Sequence, residues 1–374
     1  MASPNRSAVH LFCTVVDNYG DAGVCLRLAR HYARKGAQTT LVIDKPELID
    51  QMMPNWRQEP CLSVRTNAPD PQSCLMDPSQ SHRPTASDEP FELTVIEAFQ
   101  FDAPQDYRVA LEELHASGAT IQRIALDYLA TEPWAASHQG LMSPDLDVKR
   151  TLADRGLTVD PTGPAATRKW FAPSFDGHGF PLIRSDFIEA SEARRAQMRV
   201  RLGASRADDF LVMAFGYPDA PWEALKQALK RHGLPPGFKQ AVFWHPKGLE
   251  LTQNEFDIAL QACDLNFVRG EDSFVRAHWA AAGRWQVPFV WQPYRQDGQA
   301  HADKLRAWLA QLGRLNQVGD PPSQVTSIGS LTLRFNGLGT EQSLAETWRD
   351  TLFTWRDLKV ALRGCCAGLA SNLK

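Results

Sequence analysis

The sequence lacks an excess of positive charge. Its 374 residues carry a formal net charge of −3, so the basic surface that a phosphate backbone requires is missing and nucleic acid is not an expected partner. It also lacks a membrane span: the longest apolar stretch near the start, Ala8 to Val16, is interrupted by His10, is too short for a bilayer and runs straight into Asp17. No signal peptide is expected. No C-x-x-C pair occurs, and the seven cysteines (Cys13, Cys25, Cys61, Cys74, Cys263, Cys365 and Cys366) are odd in number, which suits buried thiols in a reducing cytoplasm. There is no P-loop and no G-x-S-x-G turn. No grouping of His, Cys and carboxylates has metal-ligand spacing, so no metal is expected. Asp145-Leu146-Asp147 is a D-x-D of the kind that binds a metal and a nucleotide, but Ser143 and Pro144 precede it in place of an apolar strand, so it reads as a surface loop.

What is present is the composition of a folded protein. Hydrophobic residues make up 43% and charged ones 22%, near the averages for globular domains, and the length exceeds what one core supports, so two domains are expected. Short apolar runs alternate with helical patterns: Ala8 to Val16, then Ala22 to Lys35, Thr39 to Ile43, Leu93 to Ile96, a helix near Tyr107 to Ser117, and Ile121 to Leu126. That alternation predicts βαβ units and parallel sheets, an α/β protein. In the first helix Val24, Leu28 and Tyr32, with Cys25, Ala29 and Ala33, form one apolar face, leaving Arg27, Arg30 and Arg34 for the other. The proline-rich stretch Arg65 to Pro90 reads as an insertion without regular structure. Residues 156–184 are rich in Gly and Pro and give the boundary, with domains at 1–184 and 185–374. The second half supplies strands at Phe210 to Phe215, Gln240 to Trp244 and Asp264 to Val268. Its helices are expected at Glu189 to Leu202, Trp222 to Arg231, Gln253 to Ala262, Ser273 to Ala282 and Ala300 to Leu312.

In such folds ligands gather at the carboxyl ends of the strands. "FCTVVDNYGDAGV", residues 12–24, is a strand-end loop of this kind. Its Gly20 and Gly23 lack the G-x-G-x-x-G spacing, and Asp17 and Asp21 would repel a pyrophosphate. Their ordinary roles would be a turn residue and a helix N-cap. "DLNFVRGEDSFVRAHWA", residues 264–280, repeats the strand–turn–helix logic. Gly270 lets the chain turn, Glu271, Asp272 and Ser273 open the helix, and Arg269 with the Ser273 hydroxyl and the helix start would suit a diphosphate. First-turn acids are also ordinary capping residues. "QPYRQDGQAHADKL", residues 292–305, places Tyr294, Gln296, Asp297 and His301 around one turn, a set suited to hydroxyl recognition. Another strand-end loop carries Asp127, Tyr128, Glu132 and Trp134, which would hold a cationic acceptor or fill an interface.

Together "FCTVVDNYGDAGVCLRLAR", "LDYLATEPW", "KWFAPSF", "CDLNFVRGEDSFVRA" and "QPYRQDGQAHADKL" resemble the bacterial protein-arginine rhamnosyltransferases that modify elongation factor P, the EarP family, from about Leu11 to Leu305 in the same order. The resemblance implies a GT-B glycosyltransferase: two Rossmann-like domains facing across a cleft, the first for the acceptor and the second for the donor. The last helix, around Thr347 to Leu373, is the element that in GT-B proteins often crosses back to the first domain. It implies inverting transfer of rhamnose from dTDP-β-L-rhamnose to an arginine of elongation factor P, without a metal or other cofactor. Asp17 and Asp21 then match two essential acids, with Asp21 as general base, and Glu271 matches an essential glutamate. Asp272 and Ser273 match donor-phosphate contacts, while Tyr217, Gln253, Phe256 and Tyr294 complete the nucleotide-sugar pocket. The family's D-I-G-V-x-W appears here as Asp21-Ala22-Gly23-Val24-Cys25-Leu26. The rival expectations are a GT-B transferase with a small-molecule or lipid acceptor, and a non-catalytic nucleotide-binding protein.

Overall fold

The computed structural model describes residues 7–17, 19–75, 91–130, 132–156, 167–174, 187–246, 251–294, 300–316, 323–338 and 342–353, with 355, 359, 363 and 366 beyond them. They form two compact units, Met1–Leu129 with Trp134–Pro173, and Ala130–Pro133 with Ser174–Lys374. The expected boundary at 184/185 lies outside the described residues.

In the first unit the chain runs β1 (Ser7–Cys13), α1 (Tyr19–Arg34), β2 (Gln38–Ile43), α2 (Pro46–Met52), β3 (Leu62–Arg65), β4 (Glu92–Ala98), α3 (Gln105–Ala116), β5 (Thr120–Leu126), α4 (Trp134–His138), β6 (Met142–Pro144), α5 (Leu146–Asp154) and β7 (Thr167–Phe171). The strands make one sheet in the order β3-β2-β1-β4-β5-β7-β6. Pairing is parallel throughout except at the β6–β7 edge. β1 lies between β2 and β4 and is covered on both faces, which is why it reads as a nearly continuous apolar run. Its one polar interruption is satisfied: His10 Nδ1 and the Tyr107 hydroxyl lie 2.6 Å apart, and burial, with Arg65 nearby, pushes the histidine down to about 4.

Four sequence expectations change here. The face opposite the apolar one is also covered in part, since Arg27 and Arg30 are buried; Glu59 lies 3.7 Å from Arg30 and 2.6 Å from Arg34. The stretch after Arg65 is not structureless throughout, because Pro71–Leu75 winds into a 3₁₀ turn on Asp70, whose carbonyl accepts from Ser73 N at 3.0 Å and whose side chain accepts from Gln72 N at 3.0 Å. Residues 76–90 lie outside the described residues. β7 falls inside the supposed connector and pairs with β5. Asp145 is no surface loop: it caps α5 through Val148 N and receives Arg108 and Arg123, the latter at 3.1 Å, while Arg123 also meets Glu97 at 3.0 Å.

The second unit runs α6 (Glu192–Arg201), β8 (Asp209–Ala214), α7 (Trp222–His232), β9 (Gln240–Trp244), α8 (Gln253–Ala262), β10 (Leu265–Arg269), α9 (Asp272–Ala282), β11 (Phe289–Gln292), α10 (Ala300–Asn316), α11 (Ser323–Phe335) and α12 (Leu344–Phe353). Its parallel sheet has the order β11-β10-β8-β9. One face packs Phe210, Val212, Leu265 and Phe267 against Leu225, Leu331, Phe335 and Trp348. On α9, Phe274 stacks on Trp291 at 3.7 Å, and Trp308 meets both edge-on. A buried bidentate pair, Arg276 to Asp257 at 3.0 and 2.6 Å, ties α9 to α8. The expected last helix is described as α12 to Phe353, and most of it beyond that lies outside the described residues.

Each sheet has a topological switch point. In the first unit the chain adds β2 and β3 on one side of β1 and then β4 on the other. In the second it adds β9 on one side of β8 and then β10 on the other. Crevices open at the carboxyl ends of such strands, and the two distinctive loops of the sequence follow β1 and β10.

Candidate active site

In the first unit, the loop after β1 is held through its backbone groups by carboxylate and ammonium side chains. Asp21, in the first turn of α1, is 3% exposed, and its Oδ2 accepts from Val16 N and from Asp17 N, both at 2.8 Å. Asp21 is therefore not the N-cap; its carboxylate reaches back and fixes the loop. Among the described residues no donor reaches its Oδ1. Burial raises its pKa, the two amides and Lys45 oppose that rise, and Asp44 adds to it. Asp17 is half-buried, and its carbonyl accepts from Gly20 N at 2.7 Å.

The neighbouring strand ends bring aromatic groups. Phe99 follows β4 with a φ of 59°, and its ring stacks on Tyr128 at 4.5 Å; Gln100, next along, has a φ of 64°. Two successive residues in the left-handed region hold this turn against its backbone preference. Asp127 is occupied, accepting from Tyr128 N at 2.8 Å and from Trp170 Nε1 at 2.9 Å. Trp134 lies 6.0 Å from Trp170 and is exposed, whereas Glu132 belongs to the short stretch grouped with the second unit.

In the second unit, the loops after β8, β10 and β11 meet at the switch point. Gly270 adopts a φ of 63°, the turn the sequence predicts, and Trp291 Nε1 donates to its carbonyl at 2.9 Å. The Arg269 guanidinium lies over two rings, 4.7 Å from that of Phe215 and 5.0 Å from that of Tyr217, and donates to Gly216 O at 3.2 Å. The Ser273 hydroxyl donates to Arg269 O and accepts from Arg269 N at 3.2 Å, which locks the turn. Glu271 occupies the N-cap of α9 without a side-chain capping bond; its Oε1 accepts from Lys304 Nζ of α10 at 2.9 Å. Asp272 opens the helix.

Tyr217 meets Tyr294 edge-on at 6.0 Å, and Phe256 meets Phe215 edge-on at 5.7 Å. Gln253 is the first residue of α8, buried, behind the Thr252/Glu255 capping box. Tyr217, Phe256, Arg269, Ser273 and Tyr294 are thus joined directly or through Phe215. Gln296 and Asp297 lie outside the described residues. Among the described residues no grouping of three or more His, Cys, Asp or Glu is placed for a metal ion, and no helix is long and apolar enough to cross a membrane. Among the described cysteines, Cys13, Cys25, Cys61, Cys263 and Cys366 are not in disulfides.

The elongation-factor P (EF-P) rhamnosyltransferase family, EarP, matches residues 9–237 and 249–373. The chain belongs to this family. It is 30% identical over 392 residues to the protein-arginine rhamnosyltransferase of Pseudomonas aeruginosa, covering 93% of each chain. To the protein-arginine rhamnosyltransferase of Shewanella oneidensis it is 29% identical over 346 residues, covering 82% of this chain and 81% of that one. A solved structure described as the basis for EarP-mediated arginine glycosylation of translation elongation factor EF-P covers 98% of this chain and 95% of its own, at 20% identity and a TM-score of 0.49. Membership places the chain among the glycosyltransferases, and its two α/β units, each on a mainly parallel sheet, agree with the expected class.

Sequence reasoning missed four contributors. Gln292, the last residue of β11, accepts from Tyr217 N at 2.7 Å, and Lys304 pairs with Glu271. Both stand in the quoted "QPYRQDGQAHADKL", but no spacing rule singles them out. Asp44 and Lys45, just after β2, bind the loop after β1: Val15 N donates to Asp44 Oδ1 at 2.9 Å, and Lys45 Nζ donates to Val15 O at 3.3 Å.

Proposed function

We propose that this chain is an inverting protein-arginine rhamnosyltransferase that moves rhamnose from dTDP-β-L-rhamnose to an arginine side chain of elongation factor P, with residues 1–184 handling the acceptor and 185–374 the donor. Support comes from the family match, from relatives named protein-arginine rhamnosyltransferases, and from two strand-end loops of opposite chemical character. The observation that carries the proposal is Asp21: a buried carboxylate with one oxygen fixed by two backbone amides and the other met by no donor among the described residues.

A guanidinium is a poor nucleophile because it stays protonated. A carboxylate helps twice, by orienting one N–H through a charge-assisted hydrogen bond and by taking its proton as the bond forms. In the proposed step an arginine nitrogen attacks the anomeric carbon, and the bond from that carbon to the diphosphate oxygen breaks. The electron pair leaves with dTDP, and the proton passes to Asp21. One in-line displacement inverts the centre. Burial raises the basicity of Asp21 above that of an exposed aspartate, and general-base help of this kind is typically worth about 10²–10⁴ in rate. Asp17 or Glu271 offsets the remaining positive charge. The start of α9 with Arg269, Asp272 and Ser273 receives the diphosphate, and Tyr217, Gln253, Phe256, Tyr294, Gln296 and Asp297 hold the rest of the donor.

The test is to incubate the protein with dTDP-β-L-rhamnose and elongation factor P and to look by mass spectrometry for one deoxyhexose on one arginine. Asp21→Asn keeps dTDP binding and loses transfer. Donor turnover on a small molecule or lipid with elongation factor P untouched would refute the acceptor. Binding of dTDP without any donor consumption would refute catalysis.

A further inference from the structure

Asp44 and Lys45 are the first two residues after β2, and β2 is the parallel neighbour of β1. From there they reach across to the loop that β1 feeds and bind the same residue at both its polar groups, Asp44 at Val15 N (2.9 Å) and Lys45 at Val15 O (3.3 Å). Asp21 then takes the next two amides, Val16 N and Asp17 N. Three successive N–H groups of the loop are therefore claimed by two carboxylates, one on each side of it. Val15 itself is buried while Val16 is exposed, so the loop is pinned at its root and open at its crest.

Resting on the assignment of Asp21 as the base, we propose that Asp44 and Lys45 are positioning residues of the transfer reaction. They set where the Asp21 carboxylate stands and, carrying opposite charges, pull its basicity in opposite directions. Asp44 is exposed, and its charge disfavours a second negative charge on Asp21, whereas the ammonium of Lys45 favours it. The other titratable groups around Asp21 are Asp17 in the same loop, Cys25 one turn along α1, and Cys13 at the end of β1, hydrogen-bonded to Cys25. The Cys25 thiol is held well above its ordinary range by burial, so it stays neutral through the working pH range. The electrostatic balance on the base is accordingly left to Asp44 and Lys45.

The experiment compares pH profiles of kcat/KM for the acceptor in the parent, Asp44→Asn, Asp44→Ala and Lys45→Met, with dTDP binding as the check that the second unit is intact. Asp44→Asn keeps an oxygen for Val15 N but removes the charge, so the acid limb moves to lower pH. Lys45→Met moves it to higher pH. Asp44→Ala also frees the loop, and the plateau falls about 10- to 100-fold, the scale of a misplaced catalytic group. Shifts of opposite sign are something a purely structural role would not produce. Unmoved limbs, or limbs that move the same way, overturn the proposal while an inactive Asp21→Asn still stands for the base. An active Asp21→Asn overturns both.

Discussion

His278 provides a quantitative test of how the second unit is built. It lies on α9, six residues past Asp272 in the same helix that opens with the proposed diphosphate contacts. Trp308 Nε1 can only donate, and it points at His278 Nε2 at 3.1 Å, so Nε2 accepts. The ring proton must then sit on Nδ1 and go to Phe274 O at 2.9 Å. Both nitrogens are used by the neutral ring, and a second proton has no place. Burial accordingly pushes the pKa from 6.5 to about 3. Above pH 6.5 neither the folded nor the unfolded chain binds this proton. Below it the unfolded chain takes a proton that the folded chain refuses, so stability falls as pH falls, until the folded ring also protonates near 3. At about 1.36 kcal/mol per pH unit, this one side chain removes about 2 kcal/mol at pH 5 and about 5 kcal/mol by pH 3. The assay is urea unfolding of the protein and of His278→Gln between pH 7.5 and 5, followed by tryptophan fluorescence. Carboxylates and His10 are the same in both and cancel in the difference. The stability gap between parent and variant should close, or reverse, by about 2 kcal/mol over that range. Parallel curves would show that the ring is not held neutral and would refute the hydrogen-bond assignment.

Two further outcomes follow from packing. A Cβ on Gly216 would lie 2.6 Å from Trp222 Cζ2 and 2.8 Å from Gln292 Oε1, so Gly216→Ala should lower stability by about 1–3 kcal/mol and weaken dTDP binding by calorimetry, because Gln292 also holds Tyr217 N. Arg276→Met leaves Asp257 buried without its bidentate partner and should cost about 3–5 kcal/mol in urea unfolding, whereas Arg276→Met with Asp257→Leu should recover most of it.

Elements whose signal is local were legible, and those whose signal is tertiary were not. β9 and α8 have the bounds their patterns predict, the second because Thr252 and Glu255 form a capping box. β7 and β11 were missed. Each is a short run, and β7 is flanked by the Gly and Pro residues that mark a connector; both owe their place to a neighbouring strand. Helical periodicity puts the arginines of α1 on the face away from the apolar one but cannot see that Arg27 and Arg30 are buried there or that Glu59 arrives from beyond α2. The same limit applies to the site. Asp17 and Asp21 stand out through the sign of their charge at a strand end and Glu271 through the family resemblance, but Asp44 and Lys45 matter only because β2 lies beside β1. Lys304 matters only because α10 brings it to α9.

In the proposed reading the two strand–loop–helix corners put a shared device to opposite chemistry. In a phosphate-binding turn the loop amides point outward at an anion. After β1 they cannot, because Val16 N and Asp17 N are turned onto Asp21 and Val15 N onto Asp44. These three amides are taken by carboxylates, which suits the cation that the proposal brings to this loop. After β10 the acid at the equivalent corner does the reverse. Glu271 makes no capping bond to α9 and pairs with Lys304, while Arg269 stays at the turn over Phe215 and Tyr217. Counting acids therefore misleads, since the first corner has Asp17 and Asp21 and the second has Glu271 and Asp272. The corners differ in whether a carboxylate is bonded to the loop's own amides, as Asp21 is, or to a lysine from another helix, as Glu271 is, and the proposal takes that difference as what sets their polarity.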